Sequence, residues 1–80
     1  MSKKNYSYRE RKNYHTDRMR QGLGHGGKMN IKESYSTGFV HWMSDMKTYN
    51  DVKSHCDKVA FEKGERAGSK AYNKAMDYKF

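Results

Sequence analysis

One segment of this chain resembles a phosphate-binding loop. Residues Gly22 to Met29 read Gly-Leu-Gly-His-Gly-Gly-Lys-Met, which meets the first seven positions of the pattern G-x-x-x-x-G-K-[ST]. Met29 lacks the hydroxyl that this loop supplies to magnesium, and the charged residues 14–21 precede it where a buried strand is required. We therefore interpret the segment as a flexible glycine-rich linker.

The candidate metal ligands are four histidines and a single cysteine, Cys56. His41 and His55 are 14 residues apart in the sequence. On one helix that separation is about four turns, or about 21 Å, so the two side chains could not share an ion. The sequence has no C-x-x-C or H-x-x-x-H pair that would anchor zinc. We predict no metal site and no cofactor, and we interpret Cys56 as a small core residue.

The only candidate for catalysis is a short polar cluster around His55. Asp51 precedes His55 by four residues, the spacing at which a carboxylate can orient an imidazole on one helix face. Ser54 and Cys56 are its immediate neighbours, and adjacent helical residues point about 100° apart. Because neither side chain would reach the imidazole as an activated nucleophile, we do not expect an enzyme.

Positive charge is concentrated in the first thirty residues. The chain carries 17 Lys and Arg against 9 Asp and Glu, and residues 1–30 hold eight of these bases but only two of the acids. Such a segment can neutralise the phosphates of DNA or RNA, while tyrosines within it stack on bases. The same composition also fits a solvated, solubilising tail. The candidate nucleic-acid-binding residues are Lys3, Lys4, Tyr6, Tyr8, Arg9, Arg11, Lys12, Tyr14, Arg18, Arg20 and Lys28.

These residues belong to a chain that has few core-forming side chains. Leu, Ile, Val and Phe together account for eight of the 80 residues. That share is well under the roughly 20% below which composition indicates disorder. Residues 1–20 show neither a period of two nor one of 3.6, so we predict a largely irregular basic arm, with at most a short fraying helix between Tyr8 and Arg20, followed by the glycine-rich linker. Residues 31–80 are predicted to form a separate, small helical domain.

The helical domain is predicted from an amphipathic stripe over residues 36–63. Apolar residues recur there at steps of three and four, namely Phe39, Trp42, Met43, Met46, Tyr49, Val52, Cys56, Val59 and Ala60. Gly64 is a helix stop signal, which would leave residues 65–78 as a second, shorter helix of a helical hairpin. In the alternative, one long rod presents a stripe of small residues to a partner, formed by Cys56, Ala60, Gly64, Ala67 or Gly68, Ala71 and Ala75.

The composition and charge lead to two functional hypotheses. In the first, a small basic accessory protein binds nucleic acid through its arm, and a homodimer or a larger protein completes the thin core. In the second, a non-enzymatic interaction module, such as a small virus-encoded inhibitor or virion component, docks on an acidic protein surface. The predicted protein interface consists of Phe39, Trp42, Met43, Met46 and Tyr49.

The cellular compartment is predicted from cysteine usage and hydropathy. A single cysteine cannot form an intrachain disulfide, so we expect a reducing, cytoplasmic environment. Residues 5–12 are polar where a secretory signal would have its apolar region. No stretch approaches the roughly 18 apolar residues that a membrane span requires.

Overall fold

The protein is mainly helical, as the sequence predicts. The computed structural model describes residues 7–24, 27–43 and 46–77, and none of these residues is in a strand. Helix α1 spans Tyr8–Gly24, α2 spans Ile31–His41, α3 spans Met46–Lys53 and α4 spans Lys58–Asp77. Within these described residues, no helix is both long and apolar enough to cross a membrane.

Side-chain caps mark where α1, α2 and α4 begin. At the start of α1, Ser7 Oγ accepts a hydrogen bond from the backbone N–H of Glu10 (3.2 Å), and Glu10 Oε1 accepts one from the N–H of Ser7 (2.9 Å). Asn30 and Glu33 form the same reciprocal pair before α2, at 2.8 and 3.1 Å. Asp57 accepts from the backbone N–H three residues later, at 3.1 Å. These bonds satisfy N–H groups that have no partner within the helix.

The single amphipathic helix expected over residues 36–63 is divided in the structure. Helix α2 ends at His41, α3 covers only Met46–Lys53, and a turn then leads to the Asp57 cap of α4. Gly64, which was expected to stop a helix, lies inside α4. The apolar spacing of three and four therefore continues across both breaks, of which the second precedes the Asp57 cap.

The N-terminal segment also differs from the sequence expectation, because Tyr8–Gly24 forms a helix of 17 residues where a largely irregular arm with at most a short helix was expected. The inner face of α1 carries Tyr8, His15, Met19 and Gly22, which recur at steps of seven, four and three. Because His15 and Gly22 are not apolar residues, the hydropathy pattern does not show this helical period. Gly22, expected in the linker, is a buried residue of α1.

Helix α1 packs antiparallel on α2, which is the central element of the fold. Near the middle of both helices, His15 Nδ1 lies 2.8 Å from Ser36 Oγ. Tyr8, at the beginning of α1, stacks on Phe39 near the end of α2, with ring centroids 6.1 Å apart. Phe39 is fully buried, so α1 contributes to the core and is not a detached arm.

Helix α4 covers another side of α2 through direct contact between the two backbones. A Cβ atom at Gly64 would overlap the carbonyl oxygen of Tyr35, and one at Gly38 would overlap that of Phe61. A Cβ at Gly68 would lie 2.5 Å from a carbonyl oxygen of α2. The small-residue stripe considered as a surface for a partner thus packs against α2 of the same chain.

The core around α2 contains hydroxyl groups whose hydrogen bonds join the helices. Ser34, Ser36 and Thr37 are each fully buried. Ser36 pairs with His15 of α1, and Ser34 Oγ accepts from the backbone N–H of Asp57 at 2.8 Å. Thr37 Oγ1 donates to the carbonyl oxygen one turn earlier in α2, also at 2.8 Å. Since these hydroxyls have partners, their burial does not carry the full cost of desolvation.

We predict that Gly64→Ala destabilises the protein by about 2 kcal/mol or more, because the added methyl group must displace the α2 backbone. Higher helix propensity offsets only about 1 kcal/mol of that cost. Gly24→Ala is the control, since a Cβ there has no neighbour within 4 Å. Denaturant unfolding followed by circular dichroism measures both free energies. Equal stability of the two variants would contradict the close contact between α2 and α4.

Candidate functional site

The basic residues of α1 lie on two flanks of a helix whose inner face is packed on α2. Arg11, Tyr14 and Arg18 follow one another at steps of three and four, so they share one flank. The other flank carries Arg9, Lys12 and Arg20, all of them exposed. Helix α1 therefore presents five of the predicted cationic side chains from a fixed backbone.

The flank formed by Arg11, Tyr14 and Arg18, the Arg–Tyr stripe, combines cations with an exposed ring. The Arg18 guanidinium lies 4.8 Å from the Tyr14 ring centroid and donates to the Tyr14 hydroxyl. Arg11 lies over Phe39, with its guanidinium carbon 5.4 Å from that centroid. Tyr14 is 56% exposed. The stripe can therefore offer both positive charge and a stacking surface to a ligand.

Next to the Arg–Tyr stripe, His15 is held in a partly buried site. Its ring centroid is 4.2 Å from that of Phe39. Burial, together with the positive charges of Arg18 and Arg11, lowers the pKa of His15 to about 4. The imidazole is therefore neutral at pH 7 and adds no charge to the surface. A cleft of about 440 Å³ lies alongside, lined by Glu10, Arg11, Tyr14 and His15.

The remaining residues of the predicted nucleic-acid site are not all on this surface. Tyr8 is half-buried between Phe39 and Tyr72, and its ring lies 5.5 Å from that of Tyr72. Lys28 is exposed in the segment that joins α1 to α2. The other three predicted contacts lie outside the described residues, namely Lys3, Lys4 and Tyr6.

Two of the five residues of the predicted protein interface, Phe39 and Trp42, pack within the chain. Phe39 is fully buried, and Trp42 is half-buried with its ring 5.7 Å from that of Tyr72. The indole Nε1 of Trp42 is buried and has no hydrogen-bond partner among the described residues. Met43 is 57% exposed. Met46 and Tyr49 fall within α3, and their side chains lie outside the described residues.

The other candidate groups have ordinary structural surroundings. A helix, not a strand, leads into the glycine-rich segment that resembles a phosphate-binding loop. Cys56 is buried, and this burial raises the pKa of its thiol, which keeps it protonated at neutral pH. Ser54 Oγ donates to the carbonyl oxygen of Asp51, at 2.8 Å. Across the described residues, no three His, Cys, Asp or Glu side chains are grouped as metal ligands.

Sequence reasoning missed a basic face on α4, which we call the α4 stripe. It consists of Lys63, Arg66, Lys70 and Lys74, at steps of three, four and four, and all four residues are exposed. The total charge of residues 31–80 did not reveal this face, because nine bases and seven acids nearly cancel when they are counted together. The spacing of three and four residues between the four bases could have predicted this face from the sequence. It places the bases on one side of the helix only when the bounds of α4 are known.

The chain matches no protein-family model, no curated protein and no solved structure. Its function is therefore inferred from its own residues and their geometry.

We predict that Trp42→Ala costs about 2 kcal/mol of stability, because the indole packs on Tyr72 and beside Gly68. Met43→Ala, at the adjacent exposed position, should change stability by no more than about 0.5 kcal/mol. Denaturant unfolding of both variants tests this difference. A larger loss for Met43→Ala would mean that the exposed side chain is covered, as in a dimer.

We also predict that the protein loses stability as the pH falls from 6.5 towards 4. Unfolded His15 has the ordinary pKa of 6.5, whereas the folded residue has a pKa of about 4, so the unfolded state binds more protons in this window. The stabilisation is complete above pH 6.5. Because the ring is half-exposed, we expect screening to reduce the effect to about 1 kcal/mol.

His15→Gln should remove this part of the pH dependence. His41 contributes in the same direction, since burial and the charge of Lys12 lower its pKa, so some of the slope will remain. The control is His55→Gln at an exposed position. Thermal unfolding between pH 7 and pH 4.5 would contradict the assignment if His15→Gln and the wild type lost stability in parallel.

Proposed function

We propose that this protein binds nucleic acid through the basic surface of α1. The observation that carries the proposal is the Arg–Tyr stripe, in which an exposed tyrosine lies between two arginines on one flank of the helix. Guanidinium groups pair with phosphate oxygens, and the release of counterions from nucleic acid favours the complex. Helix α1 carries five bases against two acids, so the net potential is attractive to a polyanion.

The helical backbone of α1 supports this function because it fixes the spacing of the charges. Arg11 and Arg18 are two turns apart, which places them about 10 Å from each other along the axis. In an irregular arm, the same residues would lose backbone freedom when they bound. Packing of His15 and Met19 on the core has already fixed the backbone, so less conformational entropy is lost on binding.

Tyr14 gives the surface a preference for unpaired bases. A base that stacks on an exposed aromatic ring gains roughly 1–3 kcal/mol, and this gain depends little on sequence. In a duplex the base faces are already stacked on one another, so only phosphate and sugar contacts remain. We therefore assign to α1 the binding of single-stranded segments of DNA or RNA.

Docking on an acidic protein surface has less support as an alternative. Its predicted aromatic anchors, Phe39 and Trp42, are packed within the chain itself. Of the side chains described for that interface, Met43 is the most open to solvent. A single exposed methionine provides little of the clustered apolar area found at the centre of protein interfaces.

The salt dependence of binding tests the phosphate contacts of α1. For Arg11→Gln/Arg18→Gln, the logarithmic salt slope should flatten by about 1.4 on single strands, because two fewer counterions are released. Lys32→Gln/Lys47→Gln is the matched control, since it removes the same charge from exposed positions on α2 and α3. Fluorescence anisotropy over a salt series measures both slopes. Equal slopes for the two variants would contradict the proposed contacts.

The stacking contact has its own test. We predict that Tyr14→Ala weakens single-strand binding by about 1 kcal/mol or more and duplex binding by much less. Tyr14→Phe retains the ring and loses only the hydroxyl that accepts from Arg18, so it should bind almost as the wild type does. If Tyr14→Phe were as weak as Tyr14→Ala, the hydroxyl and not the ring would be the contact.

A further inference from the structure

The exposed face of α4 carries a row of positive charge that the proposed function does not use. Lys63, Arg66, Lys70 and Lys74 are all exposed and extend over about 17 Å of the helix axis. Two acids flank this row: Glu62 precedes Arg66 by one helical turn, and Glu65 lines a cleft together with Arg66 and Lys70. The four bases outnumber these two acids, so the row keeps a net positive charge. The face thus presents cations at intervals of about one helical turn.

The fold holds this face away from the core. The opposite side of α4 carries Ala60, Phe61 and Ala71, which are buried, and Gly64, which meets the α2 backbone. Burial of that side fixes the rotation of α4 about its axis. The four bases therefore remain exposed as a consequence of packing, and two of them, Arg66 and Lys70, border a cleft next to Trp42 at the end of α2.

We infer that the α4 stripe is a second nucleic-acid contact, which binds the phosphate backbone of a duplex. A duplex presents about ten phosphates along the length of the stripe, whereas one stacked strand presents about five. The four stripe residues are all cationic, and the ring that borders them, Trp42 in the cleft lined by Arg66 and Lys70, is half-buried and packs edge-on against Tyr72. Tyr14 on α1, by contrast, is 56% exposed and open to an unpaired base. The chemistry of the stripe is that of mobile point charges directed at phosphate.

Two other anionic partners fit the α4 stripe less well. A helix that binds an anionic membrane inserts an apolar face next to its bases, but Ala60, Phe61 and Ala71 of α4 are buried. Val59, 59% exposed and one turn before Lys63, adds too little apolar surface for insertion. The centre of a protein interface is depleted in lysine and enriched in aromatic residues, whereas three of the four stripe residues are lysines. Charge complementarity therefore favours a duplex backbone as the occupant.

The inference rests on the proposed function only in that both concern nucleic acid, because the two surfaces are on different helices. The test variant is Lys63→Gln/Lys70→Gln/Lys74→Gln, which leaves Arg66 beside Trp42 in place. The control is Lys32→Gln/Lys47→Gln/Lys58→Gln, with the same change of charge at exposed positions outside the stripe. Circular dichroism establishes that both variants are folded.

Salt titrations on a duplex DNA of roughly 20 bp provide the measurement. We expect the stripe variant to flatten the logarithmic salt slope by about 2.7 relative to wild type, and the control to change it by much less. The same slope for both variants would overturn the inference. Polyglutamate is the second probe, and if it bound the wild type as tightly as the duplex does and lost affinity equally in the stripe variant, nucleic acid would not be the partner.

The variant Arg11→Gln/Arg18→Gln, measured in the same series, separates this inference from the proposed function. If only the α4 variant alters the duplex slope and the α1 variant has no effect on either substrate, the α4 stripe stands and the α1 surface does not. If only the α1 variant has an effect, the opposite holds. Wild-type protein that bound neither substrate at moderate salt would overturn both.

Discussion

The contact between the backbones of α2 and α4 is the constraint on which the rest of the structure depends. At Gly38 and Gly64, even a methyl group would overlap a carbonyl oxygen of the opposite helix. Helices that approach this closely bring many backbone atoms into van der Waals contact and need few large side chains between them. This explains how a chain with only eight Leu, Ile, Val and Phe residues can form a core in which Phe39 and Phe61 are fully buried.

The same close packing accounts for the polar character of the core. Small hydroxyl side chains fit where α2 is covered by its neighbours, and each hydroxyl must then find a partner. Ser36 bonds to His15, and Ser34 accepts from the backbone at the start of α4. The polar groups thus specify which helices pair. Part of the stability consequently depends on a neutral imidazole at residue 15, which couples the fold to pH.

The sequence predicts the helical class but not where the helices begin and end. Steps of three and four residues indicate a helix whether or not the chain breaks, so the stripe over residues 36–63 looked continuous. The starts were nevertheless readable, because Ser7 with Glu10 and Asn30 with Glu33 both have the spacing of a capping box. Gly64 was ambiguous for a physical reason. A glycine that stops a helix and a glycine that admits another helix are identical in sequence, and only the position of α2 distinguishes them.

The candidate sites show a similar division between local and tertiary information. The cations of α1 were predicted from charge density, which requires no knowledge of the fold, whereas those of α4 were lost in an average over residues 31–80. Burial of one side of α4 leaves its four stripe bases exposed on another side, and the two basic surfaces differ in their residues. The guanidinium groups of Arg11 and Arg18 lie over aromatic rings, whereas three of the four bases of the α4 stripe are lysines. An arginine next to an aromatic ring can contact both a base and a phosphate, whereas a row of lysines is suited to contact with phosphates. Together, the two proposals assign unpaired nucleic acid to α1 and the backbone of a duplex to α4.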